Sequence, residues 1–428
     1  MKISALCTEL IKPSSLTPPQ LREFKLSFID ERIPPSYIPL ILYYTFNKHN
    51  NITQSQMSHL LKTSLSQALA QFYPLAGRMK GQISVDCTDD GVSYIEARVD
   101  GNVLDIVKSP DPQILDKLIP FITNGYVSNS QEQLAVQITS FNCGGIAVGI
   151  CISHRIADAC TLSSFIKCWA AVARRDRNNA VAPVFNSAAL FPPRNTPDFT
   201  PNPMSPSVRP HAQNLETRRF VFTSSAIDAM KLEVAGNSTI IIIEPTRVEI
   251  VTAFIWNRCM AAKGVERSVA YHSLNLRGKA PALSERSFGN LFQMVKAESA
   301  GETSWIQLVG KLRAAFEKFD DQCVMKLLGE KGFELAKENF MEISRLLVEG
   351  DVEVFRFSSY CRFAVYEADF GWGRPVWVSN SSYRNKNCVF LFDSADRSGG
   401  IEAWIVITDQ EIKRLQQDSE FLRFASAG

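Results

Sequence analysis

Proton transfer near neutral pH is work for histidine, and the chain has five: His49, His59, His154, His211 and His272. His59 falls in a helical pattern, His49 and His211 in polar segments, and His272 in a strand-like run beside Tyr271. Solvation or packing accounts for those four. His154 has a different setting. It follows the apolar run Ile146 to Ile152, and Asp158 stands four residues on in Ser153-His154-Arg155-Ile156-Ala157-Asp158. A helical turn would bring imidazole and carboxylate close. The spacing suits a base held by a carboxylate, as in triad chemistry. It also suits an acid that caps the next helix or binds a distant arginine, leaving the imidazole by itself. The HxxxD pattern alone does not choose.

A second constellation is Asp369-Phe370-Gly371-Trp372-Gly373-Arg374-Pro375. Glycines on either side of a tryptophan, closed by proline, describe a tight turn with unusual backbone angles around a buried aromatic. The ten cysteines form no CxxC pair, which points to reduced thiols and no structural zinc. Cys151 or Cys160, beside His154, could carry an acyl group. A small apolar thiol in a strand or helix is the simpler reading of each. No GxSxG elbow occurs, so a hydrolase of that type lacks its nucleophile.

The elements that must position His154 are legible. Leu134 to Phe141 alternates, Asn142-Cys143-Gly144-Gly145 breaks, and Ile146 to Ile152 is apolar throughout, which reads as a hairpin whose second strand is buried on both faces. A helix follows Asp158, with Leu162, Phe165, Ile166 and Trp169 along one stripe. His154 therefore sits at a strand-to-helix junction, from which a side chain can reach a cleft. Upstream, Thr53 and Gln56 make a capping box for a helix that Pro74 stops. Short strands are expected at Ile83 to Cys87 and Val92 to Val99.

Seven prolines between Phe191 and Pro210 make an extended linker. The expected division is residues 1–190, a Pro-rich crossover at 191–213, and residues 214–428. The second part holds strands at Arg219 to Phe222, Ile240 to Ile243, Val376 to Ser379, Cys388 to Asp393 and Ile401 to Ile407. Helices are expected at Glu249 to Met260 and after Thr408. The pattern is mixed α/β in two halves, as 428 residues lead one to expect. Lys plus Arg number 46 against 44 Asp plus Glu, a net charge of +2 that gives no footprint for nucleic acid or an anionic membrane. The apolar runs are too short to cross a bilayer, and the first residues do not read as a signal peptide. A cytoplasmic monomer is expected.

With these residues on the page, a resemblance is plain. His154 to Asp158 and Asp369 to Gly373 resemble the two signature motifs of the BAHD acyltransferases, in their usual order and separation. Phe72-Tyr73-Pro74-Leu75-Ala76-Gly77-Arg78, Asn275-Leu276-Arg277, Phe288-Gly289-Asn290 and Ile401-Glu402-Ala403-Trp404 are similar too, so the likeness spans the chain. It is nearest to the vinorine synthase-like and salutaridinol acetyltransferase-like branch, which typically acetylates alkaloid or other specialised-metabolite alcohols. The resemblance implies two chloramphenicol acetyltransferase-like domains with a solvent channel between them. Acetyl-CoA or another acyl-CoA would be co-substrate to a small-molecule alcohol, with no permanent cofactor and no metal. His154 would be the general base. Asp158 would support its loop, paired with Arg277. Trp372 would shape the channel or help the oxyanion, and Thr246, Arg247, Ser287 and Asn290 would touch CoA. Aromatic pocket walls near Tyr43, Tyr44 and Phe292 would suit a bulky acceptor. Ala159 stands where the family often has glycine, so its backbone angles must be ordinary. N-acyl transfer, a larger acyl group and a non-enzymatic ligand-binding protein are the alternatives.

Overall fold

A computed structural model describes residues 1–46, 52–120, 131–194, 214–237, 244–382 and 385–428. His49, His211, the strand expected at Ile240 to Ile243 and most of the proline-rich stretch lie outside the described residues. The chain packs as two compact units. The first comprises Met1–Ser205, Ala282–Leu291 and Phe363–Ser382; the second comprises Pro206–Pro281, Phe292–Arg362 and Tyr383–Gly428.

The first unit is built on a six-stranded sheet in the order Ile3–Ile11, Val92–Val99, Leu134–Phe141, Ile146–Ser153, Tyr37–Tyr44, Trp377–Ser379. All neighbours are antiparallel except Val92–Val99 with Leu134–Phe141. Ile146–Ser153 is central and every residue of it is buried, as its unbroken apolar character requires. Gly149 and Cys151 face one layer: a Cβ on Gly149 would stand 2.0 Å from the Leu118 carbonyl oxygen, and Cys151 Sγ lies 3.3 Å from that of Pro120. Strand alternation puts Val148, Ile150 and Ile152 on the opposite face. The helix Ala159–Ala173 packs against Gln54–Gln71, where the fully buried Trp169 donates its indole N–H to Ser64 Oγ at 3.0 Å. Trp377–Ser379, from late in the sequence, belongs to this first sheet because its register matches Ile41 to Tyr43.

The second unit holds a seven-stranded sheet in the order Phe292–Ser299, Ser268–Asn275, Glu353–Ser359, Cys388–Asp393, Ile401–Thr408, Leu215–Phe222, Ser426–Ala427. Its core gathers Phe222, Phe254, Trp305 and Phe421 between that sheet and the helices Arg247–Lys263, Trp305–Glu317 and Ser419–Phe424. Capping boxes start Arg247–Lys263 at Thr246 and Asp409–Gln417 at Thr408, the latter as its sequence spacing predicts. His272 is a core residue here, edge-on to Phe316, and burial pulls its imidazole down to about 4. His59 is exposed on its helix.

Candidate active site

His154 continues the central strand by one more rung, its N–H donating to the Ser36 carbonyl at 2.8 Å. The ring is held on its Nδ1 side. Nδ1 lies 3.1 Å from the Ala157 carbonyl oxygen and 3.0 Å from Asn290 Oδ1. A carbonyl oxygen can only accept, so Nδ1 carries the hydrogen and the lone pair is on Nε2. Burial lowers the imidazole's affinity for a second proton, against a smaller opposing pull from the Asp158 charge. The residue nonetheless keeps partial solvent exposure. A neutral imidazole with Nε2 as acceptor is what a general base needs.

Asp158 does not hold the ring in the manner of a triad. One of its oxygens accepts the Thr161 N–H at 2.8 Å, capping Ala159–Ala173 at its N-terminus. The other accepts the Leu291 N–H at 3.0 Å. Asp158 thus ties the loop that carries His154 to the returning segment Ala282–Leu291. Thr161 strengthens the tie, its hydroxyl donating to the Gly289 carbonyl at 3.0 Å. Gly289 has φ 128°, and a Cβ there would meet Ser187 Oγ at 3.0 Å, so glycine is required. Ala159 opens the helix without positive φ, as its side chain demands.

The other expected residues divide. The Asp369 turn is self-closing: its carboxylate accepts the N–H groups of Gly371 at 2.8 Å and Gly373 at 2.9 Å, both glycines having φ 113°. Trp372 stacks on Phe370 and meets Tyr44 edge-on at 6.0 Å. Tyr44 ends the strand Tyr37–Tyr44, while Tyr37, at its other end, is the residue paired with Ser153 beside His154. Seven residues of strand at about 3.3 Å each put Trp372 on the order of 20 Å from the imidazole. Its contacts with Phe370 and Tyr44 make Trp372 part of the packing that holds the turn. Trp372→Phe should lower stability by about 1–3 kcal/mol yet change kcat less than about threefold, as thermal melts and steady-state rates would register. A large fall in kcat without loss of stability would return Trp372 to the chemistry.

Tyr43 and Tyr44 are likewise core residues rather than pocket walls, their hydroxyls engaged with Ser379 Oγ and the Ala368 carbonyl. Phe292 opens the strand Phe292–Ser299 of the second unit. Arg277 also lies in the second unit, where its guanidinium donates to Asn275 Oδ1 at 3.1 Å. Of the residues expected to touch CoA, Thr246 caps its helix, and Arg247 pairs with Asp393 and donates to the carbonyls of Gly399 and Gly400. Ser287 is buried, with its hydroxyl 3.3 Å from that of Ser284. Asn290 is 0% exposed and its amide is saturated: Oδ1 faces His154, and Nδ2 donates to Asp30 Oδ1 at 2.8 Å and to the His154 carbonyl at 2.7 Å. It has no surface to offer CoA, and its partner is the imidazole instead. Cys151 faces away from His154 across the sheet, and burial pushes its thiol well up, which disfavours a thiolate acyl carrier.

Residues 1–422 match the model of a family described as the Transferase family. The chain belongs to the BAHD acyltransferase family. Among curated BAHD relatives, limonoid 1-O-acetyltransferase of Citrus sinensis is 36% identical, over 100% of this chain and 99% of that one. Stemmadenine O-acetyltransferase of Catharanthus roseus is 35% identical, over 97% of each chain. The crystal structure of vinorine synthase superposes with a TM-score of 0.82 at 29% identity, covering 100% of this chain and 99% of that one. TRI101 of F. graminearum, solved with coenzyme A and T-2 mycotoxin, has a TM-score of 0.72 at 14% identity, covering 94% of this chain and 99% of that one, a likeness of fold alone. The BAHD match makes this chain a two-domain α/β acyltransferase.

Proposed function

We propose that the chain transfers an acetyl group from acetyl-CoA to a hydroxyl of a plant terpenoid or alkaloid, with His154 as general base. The acetyl group and these acceptor classes are carried over from the relatives, whose names specify O-acetylation of a limonoid and of stemmadenine, and coenzyme A as its carrier from the TRI101 complex. The observation behind the chemistry is the doubly accepted Nδ1–H, which places the imidazole's lone pair on Nε2.

In the reaction, Nε2 takes the hydroxyl proton as the alcohol oxygen bonds to the thioester carbonyl carbon. The tetrahedral intermediate then collapses, the C–S bond breaks, and the leaving thiolate takes the proton from His154, which restores the resting tautomer. Both substrates react in one ternary complex, where orientation adds to the base's effect. Thr246, Arg247 and Ser287 are kept as CoA contacts in this reading, which for Arg247 requires that the 3′-phosphate or pyrophosphate compete with Asp393. A cytoplasmic monomer is part of the same reading, and among the described residues no helix is long and apolar enough to cross a membrane.

Purified protein given acetyl-CoA and a panel of limonoid and indole-alkaloid alcohols should release free CoA and yield an O-acetyl ester by mass spectrometry. Binding of the alcohols with no CoA release from any of them would favour the ligand-binding alternative, and acceptance of amines or longer thioesters alone would redirect the substrate class. The pH dependence follows from the lowered imidazole. The active form is the neutral one, so kcat/KM should be flat above the ordinary histidine value of 6.5 and fall only as pH drops through a midpoint below it. An acid limb centred above 6.5 would contradict that environment.

A further inference from the structure

Asp30 is a carboxylate with 0% exposure, in the first unit and remote in sequence from both signature motifs. Its Oδ2 accepts from Ser27 N–H at 2.9 Å and Ser27 Oγ–H at 2.6 Å, completing a capping box on the single turn Phe28–Glu31. That would suffice for a cap. Its Oδ1 is given over to Asn290, accepting the main-chain N–H at 2.7 Å and Nδ2–H at 2.8 Å. Nδ2 of Asn290 also faces the His154 carbonyl, so both of its neighbours are pure acceptors. The amide is thereby fixed one way round, with Oδ1 towards His154 Nδ1.

We propose that Asp30 is a positioning residue for the base: acting through Asn290, it selects the His154 tautomer that leaves Nε2 able to take a proton. The inference rests on the reading of His154 as base, and it deepens that reading. A carboxylate is needed because only a group with acceptors on both oxygens satisfies donors from Ser27 and Asn290 together. Burial pushes the Asp30 carboxyl up, while those four donors pull it back towards the charged form. An amide at position 30 that keeps its oxygen on Ser27 turns an N–H towards Asn290. Both Asn290 donors then meet a donor, the side chain is displaced from Nδ1, and the ring keeps only the Ala157 carbonyl as acceptor there, which raises the share of the Nε2–H tautomer. That tautomer cannot act as base at Nε2.

The test uses the full chain labelled with ¹⁵N-histidine, the His154 signals being assigned by their loss in His154→Gln. The wild-type ring should show a protonated Nδ1 and a bare Nε2. Asp30→Asn should move a large share of the ring to the Nε2–H form and lower kcat by about 10–100-fold, the range found when the group orienting a metal-binding histidine is lost. KM for acetyl-CoA should change less than about threefold, since only the base is disturbed. Asn290→Ala keeps Asp30 with its Ser27 and main-chain partners, so it reads the same link in a protein whose fold is less disturbed. It should lower kcat comparably, and the double variant should be no worse than the more impaired single one. A folded Asp30→Asn protein with the wild-type tautomer and rate would overturn the proposal. So would an Asn290→Ala protein with unchanged kcat, whether or not Asp30→Asn folds. If the wild type shows Nδ1–H, the variant shifts it, and yet no alcohol is acetylated, the positioning stands and the acyltransfer reading falls.

Discussion

Replacing His154 with alanine should remove nearly all acyl transfer and leave a folded protein. The rate loss follows from the proposed role: general-base help is worth about 10²–10⁴-fold, and among the described residues no other imidazole belongs to this site. Among the remaining histidines, His272 is packed in the core of the second unit and His59 is exposed on a helix of the first. The structural cost is smaller. The variant loses the Nδ1 bonds and leaves Asn290 Oδ1 without its donor, about 1–3 kcal/mol for a buried polar atom. The main chain keeps its bond to Ser36, and Asp158 still caps the next helix. Steady-state rates and a thermal melt on the same sample separate the two effects. Turnover within about tenfold of wild type would be too much for a protein deprived of its base.

Asp158→Ala should fail differently, losing stability first and activity as a consequence. The carboxylate accepts from two main-chain groups, Thr161 N–H and Leu291 N–H, both through buried contacts. Loss of a helix N-cap costs about 0.5–2 kcal/mol. Stranding the Leu291 N–H adds about 1–3 kcal/mol, so a drop of roughly 2–4 kcal/mol is expected in urea unfolding. Asp158→Asn keeps one acceptor and should fall between the two. Activity should decline with the folded fraction and with looser support of the segment that carries Asn290. An Asp158→Ala protein as stable as wild type but inactive would instead assign Asp158 to the chemistry itself.

The strand and helix that frame His154 were readable because their signals are local. Seven of the eight buried residues of Ile146–Ser153, as far as Ile152, leave an unbroken apolar run, and Ala159–Ala173 leaves a periodic stripe. The capping role of Asp158 was one of two readings open from spacing, and the geometry selects it over a triad contact. The turn around Trp372 was readable as a turn because its glycines and proline are in sequence, whereas its distance from the imidazole depends on strand register. Asp30 left no local trace. It lies 260 positions from Asn290, and a buried carboxylate meeting main-chain and amide donors across that separation has no spacing pattern. Asn290 did stand out within Phe288-Gly289-Asn290, but the task expected of it was contact with CoA. The return of Ala282–Leu291 and Phe363–Ser382 to the first unit was likewise hidden, since the proline-rich stretch suggested a simple division into halves.

That return path bears on how the protein can be cut and recombined. A fragment ending at Ser205 would contain the histidine and both aspartates yet lack the asparagine whose oxygen meets the ring, so under the proposed role of Asn290 severing the chain there should weaken the base even where the fragment folds. Chimeras that exchange the later half between relatives would also transplant the ten residues Ala282–Leu291. Recombination breakpoints on either side of that decapeptide would then give products differing in catalytic competence, although no signature residue had been altered.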